Sequence, residues 1–230
     1  MIGDFLMKII ARIHTDFPSK FGVPRQSGLI NSLEATIVFE PEFRNPTALK
    51  GLEDFSHIWL IWEFSKAVRD TWSPTVRPPR LGGNKRIGVF ATRSPFRPNP
   101  IGISCVELKG IDLHTAEGPV LHVLGADMVN NTPIYDIKPY LPAVDSYPNA
   151  TGGFTDLIEE KPLEVDFPEQ WLQFIPRNLQ GALLSVLAQD PRPSYQDDPE
   201  RLYGFEFGGF EIKFVVQDNR LYVREVQVLN

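Results

Sequence analysis

The sequence has one cysteine, Cys105, among 230 residues. A single thiol excludes an intramolecular disulfide and a cysteine-built zinc site, so nothing calls for an oxidising compartment and the cytoplasm is the expected location. No run approaches about 18 consecutive apolar residues, the length a spanning helix needs, and no membrane segment is expected. The stretch 1–17 carries Asp4 early and alternates too quickly to form the apolar core of a signal peptide. Also missing are GxxxxGKS/T, GxSxG, HExxH and a GxGxxG that opens a helix after a strand. A nucleotide-like cofactor would therefore not be held by a P-loop or a Rossmann turn, and no metal site is expected. There is no internal repeat and no long low-complexity tract.

What is present can bury a core, since 42% of the residues are hydrophobic in a chain long enough for one or two domains. Proline is the outlier, at 21 residues, near twice its usual share of roughly 5%. Such a chain cannot be mostly long helix. Residues 6–14, 35–40, 57–64, 86–91, 104–111 and 120–125 are rich in Ile, Val, Phe and Trp and read as short strands between Gly, Pro and Asn turns. The run Ile58-Trp-Leu-Ile-Trp62 has no polar alternation, so this strand is expected to be central, and His57 beside it a satisfied core residue. Six short strands with little helix between them favour a closed sheet, because closure removes exposed edges. The fold class expected is mainly β, a single-sheet barrel over 1–145. The stretch 146–166 has no period and reads as a linker or excursion.

Residues 167–230 read as a small α+β domain. Trp171, Ile175, Leu179, Leu183 and Leu187 recur at helical spacing, with Pro176 as a kink or a break. Strands are expected over 203–207, 211–216 and 221–228, with turns at Gly208-Gly209 and Asp218-Asn219. Asp190, Arg192, Tyr195, Arg201 and Tyr203 form a rigid Arg/Tyr cluster, read as structural in preference to RNA-binding, with capping of the barrel as one possible use.

The net charge of -6 argues, as an average, against a nucleic-acid partner. Resolved along the chain, it divides. The 36 residues between Asp70 and Glu107 hold no acid and six cations, Arg77, Arg80, Lys85, Arg86, Arg93 and Arg97, which leaves the remainder at -12. Six prolines share that stretch, so its arginines sit on stiff loops suited to bidentate capture of phosphate or carboxylate.

The run Gly88-Val-Phe-Ala-Thr-Arg-Ser-Pro-Phe-Arg-Pro-Asn-Pro-Ile-Gly-Ile-Ser104 and the run Asp136-Ile-Lys-Pro-Tyr-Leu-Pro142 resemble the TrmO/TsaA-like family. Further matches are Phe21-Gly-Val-Pro-Arg-Gln-Ser-Gly28, Gly51-Leu-Glu-Asp-Phe-Ser-His-Ile-Trp59, Pro74-Thr-Val-Arg-Pro-Pro-Arg-Leu-Gly-Gly83 and Leu187-Ala-Gln-Asp-Pro-Arg-Pro-Ser-Tyr195. The resemblance covers nearly the whole chain apart from the linker. It implies a non-Rossmann barrel that binds S-adenosylmethionine, acts as a homodimer and methylates N6 of adenosine 37 in tRNA, on a base that already bears an N6-threonylcarbamoyl group. One departure is Asn130-Asn131, where many members read Asp-Gly; asparagine tolerates the left-handed turn this requires, and any acidic role at Asn130 is put in doubt.

By that resemblance the cofactor residues are Pro24, Arg25 and Gln26, Ser65 and Lys66, Arg93, Ile103, and Leu124, Gly125, Ala126 and Asp127. Arg77, Arg80, Lys85, Arg86, Arg97, Asn99 and Tyr140 are the candidates for tRNA contact. Arginine suits both a phosphate and the threonyl carboxylate, and Tyr140 could stack a base or close the barrel. Asp136 is the candidate to accept the proton of a poorly nucleophilic N6, against a salt bridge to Lys138. Two other readings stand beside this one: a non-catalytic RNA-binding barrel, and a methyltransferase acting on a small molecule.

Overall fold

The computed structural model describes residues 6–78, 85–157, 161–192 and 198–229. In chain order its strands and α-helices are β1 (Ala11–His14), β2 (Glu34–Phe39), β3 (His57–Glu63), β4 (Thr75–Val76), β5 (Ile87–Gly88), β6 (Ile101–Thr115), β7 (Gly118–Leu124), β8 (Thr132–Pro139), α1 (Pro142–Asp145), β9 (Glu164–Asp166), α2 (Glu169–Leu172), α3 (Arg177–Ala188), β10 (Tyr203–Phe207), β11 (Phe210–Gln217) and β12 (Arg220–Val228). Six of them close into an antiparallel barrel in the order β1-β2-β7-β6-β3-β8, with β8 pairing back to β1. β12, β11 and β10 form a second sheet with β9 at its edge.

Alternation along β3 decides which face is inside. Ile58, Leu60 and Trp62 are buried, while Trp59 and Ile61 lie half-buried on the outer face. Ile13, Ile37, Val106, Leu121, Val123 and Ile134 meet the three inner side chains in the barrel core. β3 is central, between β6 and β8, as its composition suggests. His57, however, is exposed at the strand's start and shares a hydrogen bond with the Ser56 hydroxyl, so it is not a core residue.

Two strands differ from the sequence pattern. Residues 86–91 supply only the two-residue β5, paired to β4, and then a 3-10 turn over Val89–Ala91; they take no part in the barrel. The sixth barrel strand is β8, which contains Pro133 and Pro139 and so reads as a non-strand run, since proline cannot donate to a ladder. It pairs with β1 over three residues only, Ala11 to Ile13, so one short ladder closes the sheet there. Asn131 turns the chain into β8 with φ 65°, the left-handed conformation expected of it, and the Asn130 side chain accepts from the Thr15 N–H.

In the second unit Pro176 breaks the helical run cleanly and stands at the N-cap of α3. The side-chain amide of Gln180 donates to the carbonyls of Leu172 and Ile175, two acceptors the break leaves open. Ala182, Leu183, Val186 and Leu187 form the buried stripe of α3 against the sheet. Asp218 and Asn219 both have positive φ, as a two-residue turn between β11 and β12 demands. β9 pairs parallel with β12 from within the stretch expected to be irregular. The Arg/Tyr cluster joins this unit rather than the barrel: Arg192 makes a bidentate pair with Asp190, and Tyr203 belongs to the second core, while Tyr195 lies outside the described residues.

Candidate functional site

The loop between β1 and β2 carries Pro24-Arg-Gln26 and is fastened to the barrel at Gly28, whose N–H donates to the Gly125 carbonyl at 2.9 Å. Gly125 in turn donates to Leu33 at 2.9 Å. Gly125 has φ 76°, and a Cβ there would come within 3.3 Å of the Gly28 backbone. The close approach of these two segments therefore requires glycine at 125.

Two residues past Gly125, beyond the end of β7, stands Asp127. Ser104 Oγ of β6 donates to its Oδ1 at 2.6 Å, and Trp62 Nε1 of β3 donates to Ser104 Oγ at 2.9 Å. The result is a thread of three polar groups that runs from the buried Trp62 and Ser104 to the half-buried Asp127. Ser104 is 1% exposed and, with Thr132, is one of two buried polar side chains among the described residues. Gly102 is needed for the indole to lie there, since a Cβ on it would reach within 2.3 Å of the Trp62 ring. Burial pushes the Asp127 carboxyl above its ordinary value; hydrogen bonds from Ser104 and from the Asp127 and Ser27 backbones, with the Arg93 charge, pull the other way. Arg93 reaches Gln26, its guanidinium donating to the side-chain carbonyl. Segments far apart in the chain thus meet: the 24–28 loop, Arg93, and the 125–127 turn.

The other expected cofactor residues divide between the segments that meet here and positions outside them. Pro24 and Ala126 are buried, Leu124 is half-buried and Arg25 is exposed. Ser65 and Lys66 are exposed just after Phe64, whose N–H donates to Pro100 and whose ring packs on Trp62. Ile103 points away from Ser104, to the outer face, where it is 49% exposed and lies in one row with Ile61 and Asp136. Asp136 forms the salt bridge weighed against its catalytic reading, at 2.7 Å from Lys138, and its other oxygen accepts from the Ile137 N–H. Its neighbour Tyr135 is pushed up to about 12 by burial and by the Glu63 carboxylate, which accepts from its hydroxyl. Tyr140 packs on Trp59 and His57 outside the barrel, so its ring is engaged by protein.

The cations of the basic stretch divide. Arg77, Lys85 and Arg86 are exposed on and beside the β4–β5 pair, with Arg86 Nε held by the Thr75 hydroxyl. Arg97 folds back on its own loop to donate to the Thr92 carbonyl. Asn99 is exposed, and its carbonyl accepts from Ile101. Arg80 lies outside the described residues. The same segment shows what composition alone did not single out. Trp72, 48% exposed, stacks at 6.1 Å on Phe90, 72% exposed. Arg69 lies 3.6 Å above the Phe96 ring. Trp62 and Ser104 carry no site role in the sequence pattern; a lone serine inside the apolar run Ile101-Gly-Ile-Ser-Cys-Val106 is the available signal.

Chemically, the cluster suits a charged nucleoside. S-adenosylmethionine carries a carboxylate, an ammonium and ribose hydroxyls, and here a guanidinium and a half-buried carboxylate stand within reach of one loop. The donor set therefore fits that cofactor.

Comparison with known proteins agrees along the chain. Residues 12–146 match the tRNA-methyltransferase O N-terminal domain and residues 160–229 the TrmO C-terminal domain. The tRNA (adenine(37)-N6)-methyltransferase of Escherichia coli (strain K12) is 40% identical over 225 residues, covering 94% of this chain and 95% of that one. A Pseudomonas aeruginosa protein described as a putative S-adenosylmethionine-dependent methyltransferase is 38% identical, over 88% and 89% of the two chains. The crystal structure of TrmO from Pseudomonas aeruginosa superposes with a TM-score of 0.79 at 30% identity, over 99% of both chains. With both its barrel and its second unit matched, this chain belongs to the tRNA-methyltransferase O family.

Proposed function

We propose that this protein transfers a methyl group from S-adenosylmethionine to N6 of adenosine 37 in tRNA, and that this adenosine already bears an N6-threonylcarbamoyl group. The observation that carries the reading is the meeting of the 24–28 loop, Arg93 and Asp127 beside a cationic segment free of carboxylates. When bound, S-adenosylmethionine supplies an electrophilic methyl group. Arg93, with Gln26, holds the cofactor carboxylate, and Asp127 accepts from its hydroxyl or ammonium groups. Orientation is the main task of such a site.

Asp136 is the proposed proton acceptor for N6, with Lys138 moving aside as substrate arrives. Arg77, Lys85 and Arg86 contact tRNA phosphates. Trp72 and Phe90 add an exposed aromatic face of the kind on which unstacked RNA bases settle. The reading includes a barrel domain over 1–145, a connection over 146–166, an α+β domain over 167–230, a cytoplasmic location and a homodimer. The exposed apolar Leu141 and Val144, near Trp59, support the dimer.

Calorimetric titration with S-adenosylmethionine tests the cofactor: Arg93→Ala weakens affinity at least tenfold, about 1.4 kcal/mol, with the fold intact. No binding by the parent protein at millimolar cofactor would sink the enzyme reading in favour of an RNA-binding barrel. Mass spectrometry of tRNA nucleosides from cells lacking the gene tests the substrate, because a methylated threonylcarbamoyl nucleoside that persists unchanged counts against it. Asp136→Asn binds cofactor normally and turns over slowly; full activity would retire Asp136 as base.

A further inference from the structure

Residues 16–33 link β1 to β2 and so belong, by sequence, to the barrel. In space they are built into the other core. Phe17, Ile30 and Leu33 are buried in one apolar cluster with Phe205, Phe207 and Phe214 of the second sheet, and Phe21 and Val23 pack against the same cluster. The contacts run along the segment. At its start the Gly208 N–H donates to the Asp16 carbonyl at 2.9 Å, and the Phe17 ring meets Phe207 edge-on at 5.2 Å. At its middle Phe21 meets Phe205 edge-on at 6.3 Å. Gly22, with φ 83°, lets the backbone run flat over that same ring, since a Cβ there would come within 2.4 Å of it. At its far end Ile30 and Leu33 are buried.

The polar residues Arg25 to Ser27, following the buried Pro24, therefore lie between two apolar anchors, Val23 and Ile30. Their other side meets the barrel: Gln26 accepts from Arg93, and the Ser27 backbone bonds Asp127. One face of the loop is held by the second sheet and the opposite face by the barrel. A free loop of this length loses conformational entropy on binding a ligand, and a loop ordered beforehand does not.

We propose that the C-terminal sheet preorganises the donor loop, with Phe205 of β10, and Phe21 and Gly22 opposite it, acting as positioning residues for the cofactor. The inference rests on the reading that the 24–27 loop holds S-adenosylmethionine. It assigns the C-terminal unit a part in cofactor affinity, distinct from any part in RNA binding.

The test uses the full chain and four variants, Phe205→Leu, Phe21→Leu, Val226→Ala and Gln26→Ala. Readouts are calorimetric affinity for S-adenosylmethionine, hydrogen exchange of amides 21–28 in the cofactor-free protein, turnover at saturating cofactor, and the urea midpoint. Phe205→Leu and Phe21→Leu, on opposite sides of one contact, each weaken affinity about tenfold and speed exchange of those amides, with saturated turnover within twofold of the parent. Should one fail to fold, the other carries the test. Val226→Ala removes a buried side chain of the same core on β12. It lowers the urea midpoint while affinity and loop exchange stay put; if it weakens affinity as much as Phe205→Leu, the effect is global and the proposal falls. Gln26→Ala separates the two layers of the argument. Should it leave affinity unchanged, the loop does not hold the donor; should it weaken affinity while Phe205→Leu and Phe21→Leu change neither affinity nor exchange, the positioning role alone is overturned.

Discussion

The two cores of this protein are built on different terms. The barrel interior admits polar groups at one end: Ser104 and Thr132 are the buried polar side chains among the described residues, and both belong to barrel strands. Among the described residues the second core is hydrocarbon apart from the Tyr203 hydroxyl and is rich in aromatics, with Phe17, Tyr203, Phe205, Phe207 and Phe214 in contact. A buried polar group costs stability unless it is hydrogen-bonded, so a fold keeps one where it has a use and satisfies it there. Trp62, Ser104 and Asp127 satisfy one another and end at Arg93 and the donor loop. The second core, among the described residues, leads no such thread to the donor loop and meets it with aromatic side chains.

The sharpest way to break that contrast is at Phe207, fully buried against Phe17. Phe207→Ala should cost about 3–5 kcal/mol in urea unfolding. A loss below about 1 kcal/mol would mean that the 16–33 segment and the second sheet do not share one core. Next comes Ser104→Ala, which strands the Trp62 N–H and one Asp127 oxygen. The expected cost is about 1–3 kcal/mol, with cofactor affinity falling alongside, and Ser104→Thr should rescue the hydrogen bonds if the barrel admits the extra methyl.

A smaller effect separates the cores by pH. Burial raises the Asp127 carboxyl above its ordinary value of 3.8. The folded protein therefore holds that proton more tightly than the unfolded chain does. The associated stability is present below 3.8 and is lost as pH rises through the raised value. Asp127→Asn removes this loss, so its urea midpoint relative to the parent should climb over that window, and a flat difference would show the carboxylate to be well solvated. The smallest effect concerns RNA. Arg86→Ala should weaken tRNA binding uniformly and reduce the salt slope of log affinity by about 1. An unchanged slope would remove Arg86 from the phosphate contacts. Trp72→Ala should lower affinity without altering that slope, because stacking releases no counterion.

Much of the architecture is legible in side-chain pattern. Five of the six barrel strands follow from runs of Ile, Val, Phe and Trp, and the three C-terminal strands and both their turns follow from alternation and from Gly-Gly and Asp-Asn pairs. β8 was not legible, because Pro133 and Pro139 argue locally against a strand; the barrel accepts them since closure there rests on neighbours of favourable pattern. Residues 86–91 misled in the opposite sense: Ile87, Val89 and Phe90 suit a strand, yet Val89 donates to Pro74 and Thr92 closes a tight turn onto Val89. The resemblance marked Arg93, Gln26 and Asp127 as site residues, whereas Trp62 and Ser104, though within the runs that carry the strand pattern and the resemblance, had no role assigned, since a tryptophan or serine in an apolar strand looks like packing until its partner is seen.

By itself the sequence determined the secondary structure where local pattern is strong, the segregation of positive charge into residues 71–106, and the family. These are properties of neighbours in the chain, and local chemistry is enough to set them. Only the tertiary structure decided which strand closes the barrel, that Ser104 and not Ile103 faces the interior, and that the donor loop of the barrel is walled by the C-terminal sheet. Those facts depend on residues far apart in sequence, such as Gly22 and Phe205, and burial of apolar area is blind to chain order.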